Sequence, residues 1–124
     1  MSNNAAITTD FVNAWTALDL DAIMDFFTED AVYTNIPMGA PNVGKADIRA
    51  FIEGFIGAAE AIEFIVHNQV EGPGGIVMNE RTDRLTMGGK VIELPVMGVY
   101  EFVDGKISAW RDYFDMSTYI NALS

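Results

Sequence analysis

Residues 91–114 read VIELPVMGVYEFVDGKISAWRDYF, and an Asp104-Gly105 pair divides them into two β-rich halves. Asp-Gly between such halves is a strong signal for a two-residue β-hairpin, because both central positions of that turn take a positive φ. Two similar β-rich runs precede this hairpin, separated by glycine-containing turns. The predicted strands cover 62–70, 76–85, 91–103 and 107–114. The second half of the chain is therefore predicted to be an antiparallel meander.

The first third of the chain has helical spacing. Apolar residues recur at intervals of three and four, at Phe11, Val12, Trp15 and Leu18. Thr8 or Thr9 is placed to cap this helix, and Asp19 to cap a second, short helix over 20–27. The run 31–36 is β-rich and predicts a strand, and apolar residues over 48–56 again follow a helical period. Helices followed by a meander are typical of an α+β domain with helices on one face of a curved sheet.

The composition fits one domain, 1–124, and excludes several classes of function. Half of the 124 residues are apolar, which is enough for a globular core. The 7 Lys+Arg and 18 Asp+Glu give a net charge of −11, which repels nucleic-acid phosphates and anionic lipids. We therefore expect no nucleic-acid partner and no membrane partner. Without cysteine, a signal-peptide pattern or a long apolar run, we expect a soluble, cytoplasmic protein.

Polar residues occur on the predicted strands at positions that alternation places on an inner face. Residues two apart on a strand share a face, so Arg81 and Asp83 point the same way. Asp112 shares a face of the last strand with Trp110 and Phe114. A carboxylate among aromatic side chains is costly unless it is paired, and Arg81 is the obvious partner. The pattern thus suggests a buried polar cluster.

Each of these features also has a purely structural interpretation. A surface ion pair explains the Arg81 motif, and a solvated strand end explains Asp112. Tyr33 and Asn35 share a face of the first strand, but asparagine before Ile-Pro is also ordinary turn chemistry. The alternation around Arg81 is imperfect, because Met78 has the parity of the outward residues unless a bulge intervenes. Periodicity alone leaves both interpretations open.

Other reactive residue types give weaker signals. His67 is the single histidine, and without cysteine it makes a poor metal site, so we expect no metal. The serines lie in no Gly-x-Ser-x-Gly motif, which argues against a serine triad. The glycine-rich run 72–75 lacks the Lys-Ser/Thr that follows a phosphate-binding loop. A turn is the simpler explanation of that run.

Four segments together resemble the limonene-1,2-epoxide hydrolase family. They are AVYTNIP at 31–37, ERTD at 80–83, LPVMGVYEF at 94–102 and DGKISAWRDYFD at 104–115. The most specific of them is WRDYFD, which follows Tyr-x-Asn and Arg-x-Asp at separations that match the family. The likeness covers nearly the whole chain, from the first helix to the last strand.

The resemblance implies a cone-shaped α+β fold of the nuclear-transport-factor-2-like or SnoaL-like type. In it, a strongly curved mixed or antiparallel β-sheet, covered by amino-terminal helices, encloses one deep pocket. The implied activity is the addition of water to a small apolar epoxide, terpenoid or cyclic, giving a vicinal diol in one step without a covalent intermediate. No metal, nucleotide, flavin or other cofactor is implied. A homodimer through the outer face of the sheet is also implied.

The resemblance assigns a role to each of five side chains. Asp112 is the implied general base, and Tyr33 and Asn35 help it to hold the attacking water. Asp83 is the implied general acid that protonates the epoxide oxygen. Arg81 bridges the two carboxylates. Opening an epoxide with water needs one proton removed and one delivered, so the chemistry requires one ionised and one protonated carboxyl group.

The resemblance also implies apolar pocket walls for the substrate. The implied lining residues are Met38, Phe55, Leu85, Leu94, Val96 and Phe114. Asp115 ends the same motif as Asp112 and is its nearest rival, but strand alternation points it to the other face. Arg84 follows Asp83 where an apolar or small residue is expected, and the direction of its side chain is left open.

Two other kinds of function stay open at this stage. One is a different enzyme on the same fold, such as a ketosteroid isomerase or a polyketide cyclase, and the other is a non-catalytic module that binds a small ligand. Neither requires Arg81 between two carboxylates. The natural substrate and the stereochemistry of the product depend on the shape of the pocket, which the sequence does not determine.

Overall fold

The computed structural model describes residues 3–123 and contains four α-helices, three short 3₁₀ turns and six strands in that range. The helices are α1 (Asn4–Ala14), α2 (Leu20–Met24), α3 (Lys45–Ala58) and α4 (Met116–Leu123). The strands are β1 (Phe27–Asn35), β2 (Asn42–Val43), β3 (Ala61–Glu71), β4 (Val77–Met87), β5 (Lys90–Val103) and β6 (Lys106–Tyr113). None of the described helices is long and apolar enough to cross a membrane.

The six strands form one mixed sheet in the order β2-β1-β6-β5-β4-β3. The predicted meander is confirmed, because β3 to β6 pair antiparallel with their neighbours in sequence. Beyond it, β1 runs parallel to β6, and their register places Tyr33 beside Trp110 and Asn35 beside Asp112. The parallel pairing therefore brings a segment from the first third of the chain next to the WRDYFD motif.

The hairpin between β5 and β6 forms as its sequence predicts. Asp104 has φ 49° and Gly105 has φ 78°, which are the two positive φ values that a type I′ turn needs. The turn fixes which residues of the two strands face each other, since register in a hairpin follows from the turn. Next to the turn, Val103 pairs with Lys106 and Phe102 with Ile107. The register then shifts by one residue, so that Glu101 pairs with Ala109 and Tyr100 with Trp110.

The helices pack their apolar sides onto the inner face of the sheet. Phe11 of α1 and the adjoining Trp15 are fully buried, as are Ile48 and Ile52 of α3. Phe11 meets Trp110 edge to face, with ring centroids 4.9 Å apart. The core therefore lies between the helices and the centre of the sheet, where the predicted polar cluster also lies.

Two of the predicted helix boundaries are wrong and one is confirmed. Helix α1 begins at Asn4, so Thr8 is not its cap; the Thr8 hydroxyl donates to the Asn4 carbonyl one turn back, at 2.8 Å. The second helix ends at Met24, and Phe27 already begins β1. Asp19 does cap α2, because its carboxylate accepts a hydrogen bond from the Ala22 amide at 3.2 Å.

The imperfect alternation around Arg81 needs no bulge in β4. Val77, Arg81 and Asp83 are buried, whereas Met78 lies on the outer face with 39% of its surface exposed. The register shift is in the neighbouring strand β3, between Val66 and Asn68. Arg81 and Asp83 therefore face inward by simple strand alternation, and Met78 is an apolar residue on an exposed face.

Candidate active site

The five predicted side chains come together on the inner face of the sheet. Tyr33 and Asn35 lie on β1, Asp112 on β6, and Arg81 and Asp83 on β4. All five are buried, and Arg81 is only 1% exposed. The structure therefore favours a buried polar cluster over a surface ion pair.

Arg81 reaches Asp112 by crossing over Gly98. Strand β5 lies between β4 and β6, and its Gly98 pairs with Asn79 on one side and with Asp112 on the other. A Cβ atom at residue 98 would lie 2.6 Å from Nη1 of Arg81, which is closer than van der Waals contact permits. Glycine at this position is thus the reason that an arginine and a carboxylate two strands apart can meet.

The guanidinium of Arg81 donates two hydrogen bonds to each of the two carboxylates, Asp83 and Asp112. Its Nε and Nη2 donate to Asp83 at 2.6 and 3.1 Å. Its Nη2 and Nη1 donate to Asp112 at 2.5 and 3.1 Å. The guanidinium carbon also lies 4.8 Å from the ring centroid of Phe64, which covers the cation with an aromatic face. This geometry holds two carboxyl groups at fixed positions around one charge.

Burial dominates the proton affinity of the two carboxyl groups. Desolvation raises the pKa of Asp83 to about 6, although the Arg81 charge opposes the rise. Desolvation also raises the pKa of Asp112, again against the attraction of Arg81. Because the two groups share one cation, the pair titrates as a unit, and one proton shared between them balances the local charge.

Tyr33 and Asn35 form the neighbouring side of the site. The Tyr33 ring stacks on Trp110, with centroids 4.2 Å apart and planes 8° apart. Its hydroxyl donates to the Asn35 side-chain oxygen at 3.3 Å. Burial, together with the negative charge of Asp112, raises the pKa of Tyr33 well above its ordinary value. Tyr33 therefore stays protonated and serves as a hydrogen-bond donor rather than as a base.

A cavity of about 50 Å³ opens in front of the two carboxylates. Four of the five predicted polar residues line it, and Arg81 lies behind them, outside the lining. All six predicted wall residues also line it: Met38, Phe55, Leu85, Leu94, Val96 and Phe114. The cavity is thus apolar except at the carboxylates and their partners on β1.

Four further aromatic residues of the cavity were missed by the sequence analysis. Trp15 after α1, Phe51 of α3, Phe64 of β3 and Tyr119 of α4 line the cavity. The helical period over 48–56 includes Phe51 and offered a signal for it. Phe64 has the strand parity of buried Ile62, opposite to exposed Glu63, so alternation offered a signal for it as well. Tyr119 depends on how α4 packs against the site, which local patterns do not determine.

Three residues that the sequence left as alternatives or without a role lie outside the cavity lining: Asp115, Arg84 and His67. Asp115 is exposed at the start of α4 and accepts hydrogen bonds from Thr118, which lower its pKa. Arg84 is exposed and does not disturb Asp83. His67 is exposed and its Nε2 lies 2.8 Å from the Thr82 hydroxyl, away from the cavity. Within 3–123, no group of three or more His, Cys, Asp or Glu side chains is arranged to hold a metal ion.

Two buried polar residues behind Arg81 were also missed. Asn79 and Tyr100 are at most 1% exposed, and both contact the Arg81 guanidinium. Asn79 has the strand parity of Arg81, and Tyr100 has the parity of Gly98, so alternation places both on the inner face. Strand alternation therefore carries a signal for both residues.

The curved mixed sheet, with helices over a cavity that has polar side chains at its floor, has the NTF2-like fold. An NTF2-like protein from Burkholderia pseudomallei has the same fold, with a TM-score of 0.87, 21% identity, and coverage of 100% of this chain and 99% of that one. Residues 2–124 match the family described as "Limonene-1,2-epoxide hydrolase catalytic domain", so the chain belongs to the limonene-1,2-epoxide hydrolase family.

A sequence match and a structural match from Mycobacterium tuberculosis agree with this assignment. The protein described as epoxide hydrolase EphG is 33% identical over 108 residues, covering 86% of this chain and 69% of that protein. The structure described as an LEH-like epoxide hydrolase has a TM-score of 0.85 and 28% identity, covering 98% of this chain and 89% of that one.

Proposed function

We propose that this protein hydrolyses a small apolar epoxide to a vicinal diol. The proposal rests mainly on one observation. Arg81 donates two hydrogen bonds to Asp83 and two to Asp112, and so holds the two carboxyl groups side by side at the floor of an apolar cavity. A hydrolysis that needs one proton removed and one delivered requires such a pair of carboxyl groups. Membership of the limonene-1,2-epoxide hydrolase family supports the same reaction.

The proposed reaction is one concerted step. Asp112 takes a proton from a water molecule, whose oxygen attacks one epoxide carbon. The bond between that carbon and the epoxide oxygen breaks, and Asp83 gives its proton to this oxygen. Before the step Asp112 is ionised and Asp83 is protonated, and afterwards the reverse holds. The total charge around Arg81 is therefore the same before and after, which limits the electrostatic cost of the step.

Tyr33 and Asn35 are proposed to place the water. Asn35 lies beside Asp112 in the register of β1 and β6. Because Tyr33 donates to the Asn35 oxygen, the Asn35 amide N–H groups are left to donate to the water oxygen. A water held in this way points a lone pair at the epoxide carbon and a hydrogen at Asp112. Water and one epoxide suffice for this scheme, and no cofactor takes part.

The apolar walls of the cavity suit a small apolar substrate. The cavity volume of about 50 Å³ accommodates very few waters, which is less than a cyclic epoxide occupies. An epoxide larger than this needs the outer lining to move, and Met38 on that lining is 44% exposed. We propose that the natural substrate is a cyclic or terpenoid epoxide that presents its oxygen to Asp83.

Diol formation tests the proposal directly. Purified protein, with a chelator and no added cofactor, is incubated with a panel of cyclic and terpenoid epoxides, and the diol is measured by chiral chromatography. We expect an enantiomerically enriched diol from at least one member of the panel. Absence of diol across the panel, from protein shown to be folded by circular dichroism, would contradict the proposal and favour an isomerase, a cyclase or a binding module.

The activity should decrease as the pH rises through about 6, the pKa to which burial raises Asp83. The general acid works only in its protonated form, so kcat/KM falls by up to tenfold per pH unit above that value. At lower pH the activity falls again, because Asp112 becomes protonated and no longer accepts a proton. The measurement is kcat/KM from about pH 4.5 to 9 at constant ionic strength. A flat profile over this range would contradict the assigned pair.

We also propose that a second copy of the chain covers the outer face of the sheet. Apolar side chains lie exposed on that face, each at least 39% exposed: Met78, Val91, Met97 and Val103. Exposed apolar side chains repeated along one face of a sheet favour association. Light scattering after size exclusion should give twice the mass of the chain, and replacing Met97 with glutamate should give the mass of one chain.

A further inference from the structure

A chain of hydrogen bonds runs from Arg81 away from the cavity. Nη1 of Arg81 donates to the Tyr100 hydroxyl at 2.8 Å, and that hydroxyl donates to the Asn79 side-chain oxygen at 3.2 Å. Burial raises the pKa of Tyr100 above its ordinary value, so its hydroxyl keeps the proton that it donates. Neither Tyr100 nor Asn79 lines the cavity. These two residues therefore act on Arg81 and not on a substrate.

The hydrogen-bond chain continues through Gln69 of β3 to the first helix, α1. The Asn79 amide nitrogen donates to the Gln69 side-chain oxygen at 3.2 Å, and the Gln69 nitrogen donates to the Ala5 carbonyl at 3.0 Å. The Ala5 carbonyl can only accept and the Arg81 guanidinium can only donate. One end of the hydrogen-bond chain must therefore donate and the other must accept. This leaves a single orientation for the Tyr100 hydroxyl and for the side-chain amides of Asn79 and Gln69.

The contribution of the hydrogen-bond chain lies in the N–H group of Arg81 that points at Tyr100. A guanidinium has five N–H donors, and four of them go to the two carboxylates. The fifth goes to Tyr100. Without that acceptor, Nη1 keeps only a long contact of 3.5 Å to the Asn79 side-chain oxygen in place of the hydrogen bond, and the guanidinium is free to tilt toward one carboxylate at the expense of the other.

We propose that Tyr100, oriented by Asn79 and Gln69, is a positioning residue that holds Arg81 midway between Asp83 and Asp112. The proposal rests on the proposed hydrolysis, because its catalytic value lies in keeping both carboxyl groups in place. A carboxyl group that shifts by a fraction of an ångström loses its alignment with the water or the epoxide oxygen. The hydrogen-bond chain also links the geometry of the site to the docking of α1.

The test is Tyr100→Phe, with Tyr113→Phe as the matched control. The Tyr113 side chain is 44% exposed, and Tyr113 neither lines the cavity nor takes part in the hydrogen-bond chain. We expect Tyr100→Phe to lower kcat by about ten- to a hundredfold, with KM within about twofold of wild type. The descending limb of the pH profile should move to higher pH, because a loosened guanidinium stabilises the ionised form of Asp83 less. Tyr113→Phe should change none of these.

A second readout is independent of activity. The Nη hydrogens of Arg81 should give separate, slowly exchanging NMR signals in the wild type. In Tyr100→Phe the Nη1 signals should shift and exchange faster with solvent, because Nη1 loses its hydrogen bond to the Tyr100 hydroxyl. If wild-type protein forms no diol, the proposed hydrolysis fails while the NMR comparison still decides the role of Tyr100. Unchanged kcat together with unchanged Arg81 signals would overturn the inference. If Tyr100→Phe does not fold, Gln69→Met breaks the same hydrogen-bond chain two residues further from Arg81, and wild-type behaviour of that variant would overturn the inference as well.

Discussion

Replacing Asp112 with asparagine should lower kcat for epoxide hydrolysis by about 10²- to 10⁴-fold, the usual contribution of one positioned proton transfer. The amide has nearly the same size as the carboxyl group and can still accept one hydrogen bond from Arg81, but it cannot take a proton from water. Binding of the epoxide depends on the apolar walls, so KM should change by less than about threefold. Steady-state kinetics of diol formation measures both constants.

Asp115→Asn is the matched control for this prediction. It makes the same chemical change three residues away, at an exposed carboxylate that accepts hydrogen bonds from Thr118 at the start of α4. Wild-type kcat in this variant, beside a large loss in Asp112→Asn, assigns the base to Asp112. Full activity of Asp112→Asn would remove that residue from the mechanism, and a loss in Asp115→Asn instead would move the base to Asp115.

The meander and the inner polar face could be predicted from the sequence because both depend on local rules. Asp104-Gly105 specifies a tight turn by the φ values that its two residues tolerate. Strand alternation then places Arg81, Asp83 and Asp112 on the inner face. What alternation leaves open is which strands are neighbours, and that decides whether these side chains meet or lie apart.

Local sequence patterns do not show which distant segments of the chain pair with each other. Arg81 and Asp112 meet because β5 separates their strands with a glycine at the crossing point, and Gly98 is informative only when both pairings are known. Likewise Tyr33 reaches Trp110 because β1 runs parallel to β6, a pairing between distant parts of the chain. The family resemblance supplied these contacts in advance, since a shared fold carries its strand order with it.

Replacing Arg81 with methionine should lower the free energy of unfolding by about 3–5 kcal/mol at pH 8, the usual cost of leaving buried charges without their partner. Asp83 and Asp112 are 7% and 4% exposed, and Arg81 donates four hydrogen bonds to them. Methionine fills much of the space of the arginine stem, so the loss is mainly electrostatic. Urea unfolding followed by circular dichroism gives the two free energies.

The pH dependence separates the electrostatic loss from lost packing. Without the Arg81 charge, the folded-state pKa of both carboxyl groups rises further above the unfolded value of about 4. A group with a raised folded-state pKa stabilises the fold below its unfolded pKa and loses that contribution as the pH rises through the folded value. The deficit of Arg81→Met should therefore be small near pH 4 and largest above neutral pH. Arg49→Met, which removes an exposed ion pair with Asp21, should show no such dependence. An equal deficit of Arg81→Met at both pH values would mean that packing, rather than the two carboxylates, accounts for the role of this arginine in stability.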